Sequence, residues 1–219
     1  KMPRPSSREK LLDSAEELFA AHGVGSVSMR AIQSAAGLSV GSLQYHFKTE
    51  SELVTAVIER RLSPMIERHE KELEAVASKV DPSSEEVIGA LIRPLVELLV
   101  SDRDRGHRYL TLMHRLQLGH HTEQVFLTRW PEFAKTTQSL LKQALPHVAE
   151  PTLSLRFDLA WETMLGSLAR ASDLSPSELE NHVLELIDYL SGAFAAPQTS
   201  KRPSRASKRS APTGPASSK

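Results

Sequence analysis

Between Ser28 and Lys48 the chain gathers hydroxyl, guanidinium, amide, phenol, imidazole and ammonium groups on Ser28, Arg30, Ser42, Gln44, Tyr45, His46 and Lys48. Such groups hydrogen-bond to base edges and phosphates, and they need no cofactor to do so. The spacing between them reads as two short helices. Ser28 suits an N-cap, and a helix over Met29–Ala36 turns Ile32 and Ala35 inward. Gly37 ends that helix, Leu38 fills the turn, and Ser39 caps a third helix through about His46. Two helices joined by a tight glycine turn fit a helix-turn-helix, whose second helix lies in a major groove wide enough to admit it. Its exposed face carries Val40, Ser42, Gln44 and Tyr45, with His46 near its end. Leu43 and Phe47, four apart, turn back onto the preceding helix. Gly41 lets the backbone come close to a duplex. The same spacing also describes an ordinary helical hairpin with a glycine turn.

Two other patterns invite chemistry and point away from it. Gly37-Leu38-Ser39-Val40-Gly41 spells G-x-S-x-G, the nucleophile elbow of α/β-hydrolases, which requires a strand before the serine and a parallel sheet beneath it. A helix precedes Ser39 here, so no catalytic residue is expected. His107, His114, His120 and His121 raise a metal site, with His107 and His114 seven apart on one helix. Helical metal sites favour i, i+4 pairs, and no carboxylate completes this set, so no metal is expected. His114 is retained as a polar contact for a ligand.

The second half of the chain carries the walls of a small-molecule pocket. The candidate lining is Met65, Leu99, Leu110, Met113, Phe126, Trp130, Phe133, Trp161 and Met164, with Leu95, Leu116 and Leu168 beside them. Polar orientation would come from His114 and Gln117, with Arg115 and Thr163 as further candidates. The same side chains also serve as plain core.

Helices must position all of these groups, since helical periodicity runs from residue 7 to 195 without a convincing strand pattern. A first helix over about Ser7 to His22 buries Leu11, Leu12, Ala15, Leu18 and Phe19 on one face and ends at Gly23. Thr49 and Glu52 form a capping box that opens a long fourth helix. Further helices are expected at about 83–101, 106–120, 123–145, 152–172 and 176–195, with Pro94 and Pro131 kinking or breaking two of them. Small residues among leucines mark Leu155, Leu159, Gly166 and Ala169 on one of the last two helices. Val183, Leu186, Ile187, Leu190 and Gly192 mark the other, and together they suit a four-helix interface between two copies.

Composition narrows the class. The 219 residues hold 27 Lys+Arg against 27 Asp+Glu and no cysteine, which excludes a disulfide framework, a thiol nucleophile and thiolate zinc sites. The zero net charge hides an acidic body: residues 51–195 carry 15 basic and 22 acidic side chains, while the tail after 195 carries six basic and none acidic. That Ser-, Pro- and Lys-rich tail has little to bury and is expected to be disordered, adding at most non-specific phosphate attraction. No apolar run is long enough to span a membrane, and Lys1 to Arg8 lacks the apolar core of a signal peptide. A cytoplasmic location is expected.

Arg8 through Phe19, Gly23, the helix-turn-helix and the run Tyr45-His46-Phe47-Lys48 together resemble the head of tetracycline-repressor-like (TetR) regulators over about residues 8–60. Beyond that stretch only the all-helical layout matches. The resemblance implies an all-α fold in which an N-terminal three-helix head sits on a larger helical-bundle body. Its domains would be a disordered segment 1–6, a DNA-binding helix-turn-helix 7–52, a ligand-binding and dimerisation bundle 53–196 and the basic tail 197–219. It implies a homodimeric repressor on double-stranded DNA with a palindromic operator and a small-molecule effector, for which the apolar pocket candidates suggest a lipophilic or aromatic molecule. By position, Ser28 and Arg30 resemble family contacts at the start of the second helix, and Val40, Gly41, Gln44, Tyr45 and His46 resemble recognition-helix contacts. Two departures stand out. Gln44 occupies a place usually held by tyrosine, and Glu50 one usually held by a phosphate-binding lysine, for which Lys48 is the nearest substitute. The rival readings are a helical small-molecule-binding protein without DNA activity and, behind it, an enzyme.

Overall fold

The computed structural model describes residues 5–118 and 130–197. Phe126, His120, His121, the expected helix start near 123 and the basic tail beyond 197 lie outside the described residues, as does most of the N-terminal segment. Nine α-helices and no strand occur among the described residues. They are α1 Ser7–His22, α2 Met29–Ala35, α3 Val40–His46, α4 Glu50–Ala77, α5 Ser84–Ser101, α6 Arg103–Leu118, α7 Trp130–Ala144, α8 Glu150–Arg170 and α9 Pro176–Ala195. None of them is long and apolar enough to cross a membrane.

Local signals explain most of the boundaries. Ser6 and Glu9, Ser83 and Glu86, and Ser175 and Glu178 each close a reciprocal capping box at the start of α1, α5 and α9. Thr49 caps α4 by accepting from the Glu52 N–H, but the Glu52 carboxylate reaches the Lys48 N–H, one residue earlier than a standard box. α6 begins at Arg103, a turn-fraction before the expected 106, because the Asp102 carboxylate accepts the Arg105 N–H at 3.1 Å. α5 runs unbroken through Pro94, and α4 through Pro64, which the sequence pattern did not flag. Pro131 lies in α7, next to the edge of the described residues.

The head forms around Leu11, Leu12, Ala15 and Phe19 of α1, closed by Ile32, Leu43, Phe47 and Leu53, all at most 4% exposed. Ala35, expected inward, is exposed; Ala36 packs against the core in its place. α4 then extends about 42 Å from the head into the body, and α1 packs on both α4 and α6. In the body, α5 lies against α4, α6 and α9, while α8 packs on α6, α7 and α9.

Candidate nucleic-acid interface

The turn between α2 and α3 is a backbone device. Gly37 has φ 65, the Leu38 N–H donates to the Gln33 carbonyl and the Gly37 N–H to the Ser34 carbonyl. That pair of bonds is a Schellman motif, and its left-handed residue favours glycine because a Cβ there is strained. The Gln33 amide also donates to the Leu38 carbonyl at 3.1 Å, which ties the turn a second time. Ser28 caps α2 by accepting the Ala31 N–H. Ser39 holds the N-cap position of α3 but makes no side-chain cap bond, contrary to its expected role.

α3 is fastened from below and bare above. Leu43 and Phe47 are buried, and the Arg8 guanidinium lies 5.4 Å from the Phe47 ring centre. On the outer side Gly41, Gln44 and Tyr45 are exposed, Tyr45 by 84%, with Ser42 and His46 half-buried between. The Tyr45 and His46 rings meet edge to face at 5.1 Å. Val40 lies in the first turn of α3. Ser28, Arg30 and Lys48 are exposed at the same end of the molecule's sequence, and residues 18–49 contain Arg30 and Lys48 but no carboxylate. A surface with donors, an exposed aromatic and no acid suits a polyanion. Glu50 is exposed at the start of α4, where its charge favours the helix dipole and opposes a phosphate.

The body core assembles part of the expected pocket lining. Met65, Leu110, Met113, Phe133, Trp161 and Met164 are all buried in one continuous apolar core. Leu99 belongs to the same core and also borders an apolar groove of about 330 Å³ between α5 and α9. His114 projects against α8 at Gly166, where an added Cβ would stand 2.8 Å from its Cε1, so the two helices cross closely there only because Gly166 has no side chain. His114 Nδ1 and Gln117 Oε1 are buried without hydrogen-bond partners among the described residues. Thr163 and Arg115 turn away: Thr163 donates to the Leu159 carbonyl within α8, and Arg115 donates to the Ala21 carbonyl at the end of α1. Trp130 belongs to α7, and Phe126 lies outside the described residues.

One polar group in this core escaped the sequence reading. His69 is 1% exposed, its ring 5.5 Å from Phe133 and 5.7 Å from Trp161. Neither ring nitrogen has a hydrogen-bond partner among the described residues. Burial pushes its pKa down from 6.5 to about 4, and the Ala90 carbonyl, near but outside hydrogen-bonding geometry, opposes this only weakly. A signal was available: Leu62, Met65, Ile66, His69, Leu73 and Val76 form one apolar helical stripe in which the histidine takes an apolar place. Among the described residues no group of three His, Asp or Glu side chains could hold a metal ion. His107 instead meets the Ala169 carbonyl at 3.1 Å.

The last two helices divide the small-and-leucine faces. Leu186 and Leu190 are buried in the protomer's own core, and Gly166 and Ala169 face inward too. The apolar side chains left on the surface are Leu155 and Leu159 of α8, 60% and 55% exposed, and Leu184 and Tyr189 of α9, 56% and 64% exposed. The helices run antiparallel, since Arg156 bonds the Phe194 carbonyl while Ser167 meets His182 at 2.9 Å.

Comparison with known proteins agrees with this anatomy. The sequence pattern described as "Bacterial regulatory proteins, tetR family" matches residues 11–57, and that of the "Tetracyclin repressor-like, C-terminal domain" matches residues 89–196. The chain is 32% identical over 76 residues to the HTH-type transcriptional repressor KstR2 of Mycolicibacterium smegmatis, a match spanning 35% of this chain and 37% of that protein. Among solved structures, Mycobacterium smegmatis AmtR superposes with a TM-score of 0.58 at 20% identity, over 90% of each chain. A Shewanella sp. PV-4 chain named for the tetR family superposes with a TM-score of 0.63 at 15% identity, over 86% of this chain and 98% of that one. At such identities the likeness is one of fold.

Proposed function

The chain belongs to the tetR family of bacterial transcriptional regulators, and from that premise we propose that it acts as a homodimeric repressor released from a palindromic operator by a small lipophilic or aromatic effector. The carrying observation is α3, a short helix anchored by Leu43 and Phe47 that presents Gln44 and Tyr45 to solvent. Two such helices on one dimer read half-sites about one helical turn apart, roughly 34–36 Å. Gln44 reads a base edge, while Tyr45, Lys48 and Ser28 hold phosphates.

The effector reading rests on His69, His114 and Gln117, whose buried polar atoms lack hydrogen-bond partners among the described residues, His69 beside Phe133 and Trp161. An apolar molecule carrying a donor or acceptor satisfies them at the moment it enters. Its binding reaches the head through α6, because Arg115 of α6 holds the Ala21 carbonyl of α1 at 2.9 Å. Moving the two states from 1:99 to 99:1 takes about 5.5 kcal/mol of preference by the effector for the released state. On this reading the protein works in the cytoplasm, without cofactor and without catalysis.

Arg30→Ala and Tyr45→Ala test the head. Both are expected to weaken binding to a duplex selected from a random pool by the parent protein, Arg30→Ala by about 1–3 kcal/mol as a base contact and Tyr45→Ala to a similar extent on every sequence as a phosphate contact, with helicity unchanged. Fluorescence anisotropy at fixed salt measures it; parental affinity in both variants rules out α2 and α3 as the reading unit. Leu159→Glu tests the dimer. The side chain is 55% exposed in the protomer, so the charge stays solvated in a monomer but is stranded in a four-helix interface. Sedimentation is expected to show a folded monomer, and a persisting dimer would move the interface elsewhere.

A further inference from the structure

At the junction of α4, α5 and α6 a cavity of about 120 Å³ is lined by Arg60, Arg61, Arg68 and Arg105, with Tyr109 and Asp102 beside them. Four arginines line this one cavity although residues 51–195 carry more acids than bases. Like charges gathered in this way repel unless something answers them. Two are answered within the chain: Arg60 pairs with Asp13 at 2.8 Å and with Glu16 at 2.7 Å, and Arg61 pairs with Glu16 at 2.7 Å. Arg68 and Arg105 form no ion pair among the described residues. The one carboxylate in the lining, Asp102, is committed to the Arg105 backbone N–H. Arg60 Nε is buried there without a hydrogen-bond partner.

We propose that this junction binds a compact dianionic oxyanion: inorganic phosphate or the phosphate group of a small phosphate ester. Two guanidinium groups without an ion pair outweigh the single charge of Asp102, and their planar forks offer paired N–H donors to the oxygens of a dianion. Buried Tyr109, whose phenol burial keeps protonated, adds a hydroxyl to the lining. The cavity has room for a tetrahedral oxyanion. The phosphate of an operator is out of reach, because Arg68 lies about 27 Å along α4 from Glu50. A bound anion bridges α4 to α6, and the neighbouring Arg60 and Arg61 hold α1, so the site sits on the joint between head and body.

Calorimetric titration of the full chain with sodium phosphate, at constant ionic strength against chloride, tests the site. One saturable event per chain is expected, with a dissociation constant of about 1 mM or tighter. The double variant Arg68→Gln/Arg105→Gln is expected to weaken it roughly tenfold or more. Both side chains belong to exposed residues, so the variant should melt where the parent does in chloride. Lys135→Gln, in a separate cavity between α7 and α8, should leave binding unchanged. A parallel titration with glucose 6-phosphate separates the sources: tighter binding of the ester assigns an esterified ligand, and equal or weaker binding assigns free phosphate. Absence of saturable binding in the parent, parental affinity in the double variant, or equal weakening by Lys135→Gln would overturn the proposal.

Discussion

Replacing Glu16 by alanine is expected to cost about 3 kcal/mol of folding stability, the lower end of the range for breaking a buried ion pair. Glu16 is 3% exposed, and its Oε2 receives both Arg60 Nη2 and Arg61 Nε at 2.7 Å. The two arginines are 23% and 18% exposed. Without the carboxylate, Arg61 loses its partner and Arg60 keeps only Asp13, which leaves two guanidinium groups side by side in a half-buried site. Partial exposure lets them relax toward water, which is why the lower end applies. Asp13→Ala provides the scale: its carboxylate is 61% exposed, and surface pairs contribute at most about 1 kcal/mol. Urea unfolding at constant pH compares the two. A Glu16 loss no larger than the Asp13 loss would mean that this network does not hold α1 to α4.

Acidification from pH 7 to 5 is expected to remove about 2 kcal/mol through His69 alone. In the unfolded chain an imidazole titrates near 6.5, and in the fold burial holds His69 at about 4. Between those values the unfolded chain binds the extra proton, so stability is complete above 6.5 and falls as pH falls toward 4. The full loss is about 3 kcal/mol and is reached near pH 4. The carboxylates held low, Glu9, Glu85, Glu86 and Glu178, contribute chiefly below the interval from 7 to 5, and Asp158, raised by burial, acts in the opposite direction to His69. His69→Leu should remove this slope and leave stability at pH 7 unharmed, because the ring nitrogens lose no partner there. Stability curves measured across the interval decide it. An identical slope in variant and parent would assign the acid sensitivity to another group.

Glu16 and His69 also mark where reading the sequence stops. The capping serines, Pro176 and the Gly37 turn were legible because each is decided within one turn of chain: a side-chain oxygen meets an N–H three residues on, or one residue must take a positive φ. The pairing of Leu43 with Phe47 under an exposed Tyr45 followed from the same short-range geometry. The order of helices, the glycine turn and the resemblance of the head therefore reside in the sequence itself.

Faces of helices are decided at long range, and there the tertiary structure alone could speak. Leu186 and Leu190 look like interface residues on a helical wheel, yet α5 and α8 pack against α9 and bury that side, which leaves Leu155, Leu159, Leu184 and Tyr189 outside. Arg115 and Thr163 sit among pocket candidates in sequence, but their bonds to Ala21 and Leu159 carry them away from the core. His69 is neutral and unpartnered only because α7 and α8 bring Phe133 and Trp161 onto it from 64 and 92 residues further along the chain. Glu16 meets its arginines across separations of 44 and 45 residues. A helix carries several faces at almost equal local cost, and which of them is buried depends on the surfaces that distant elements supply.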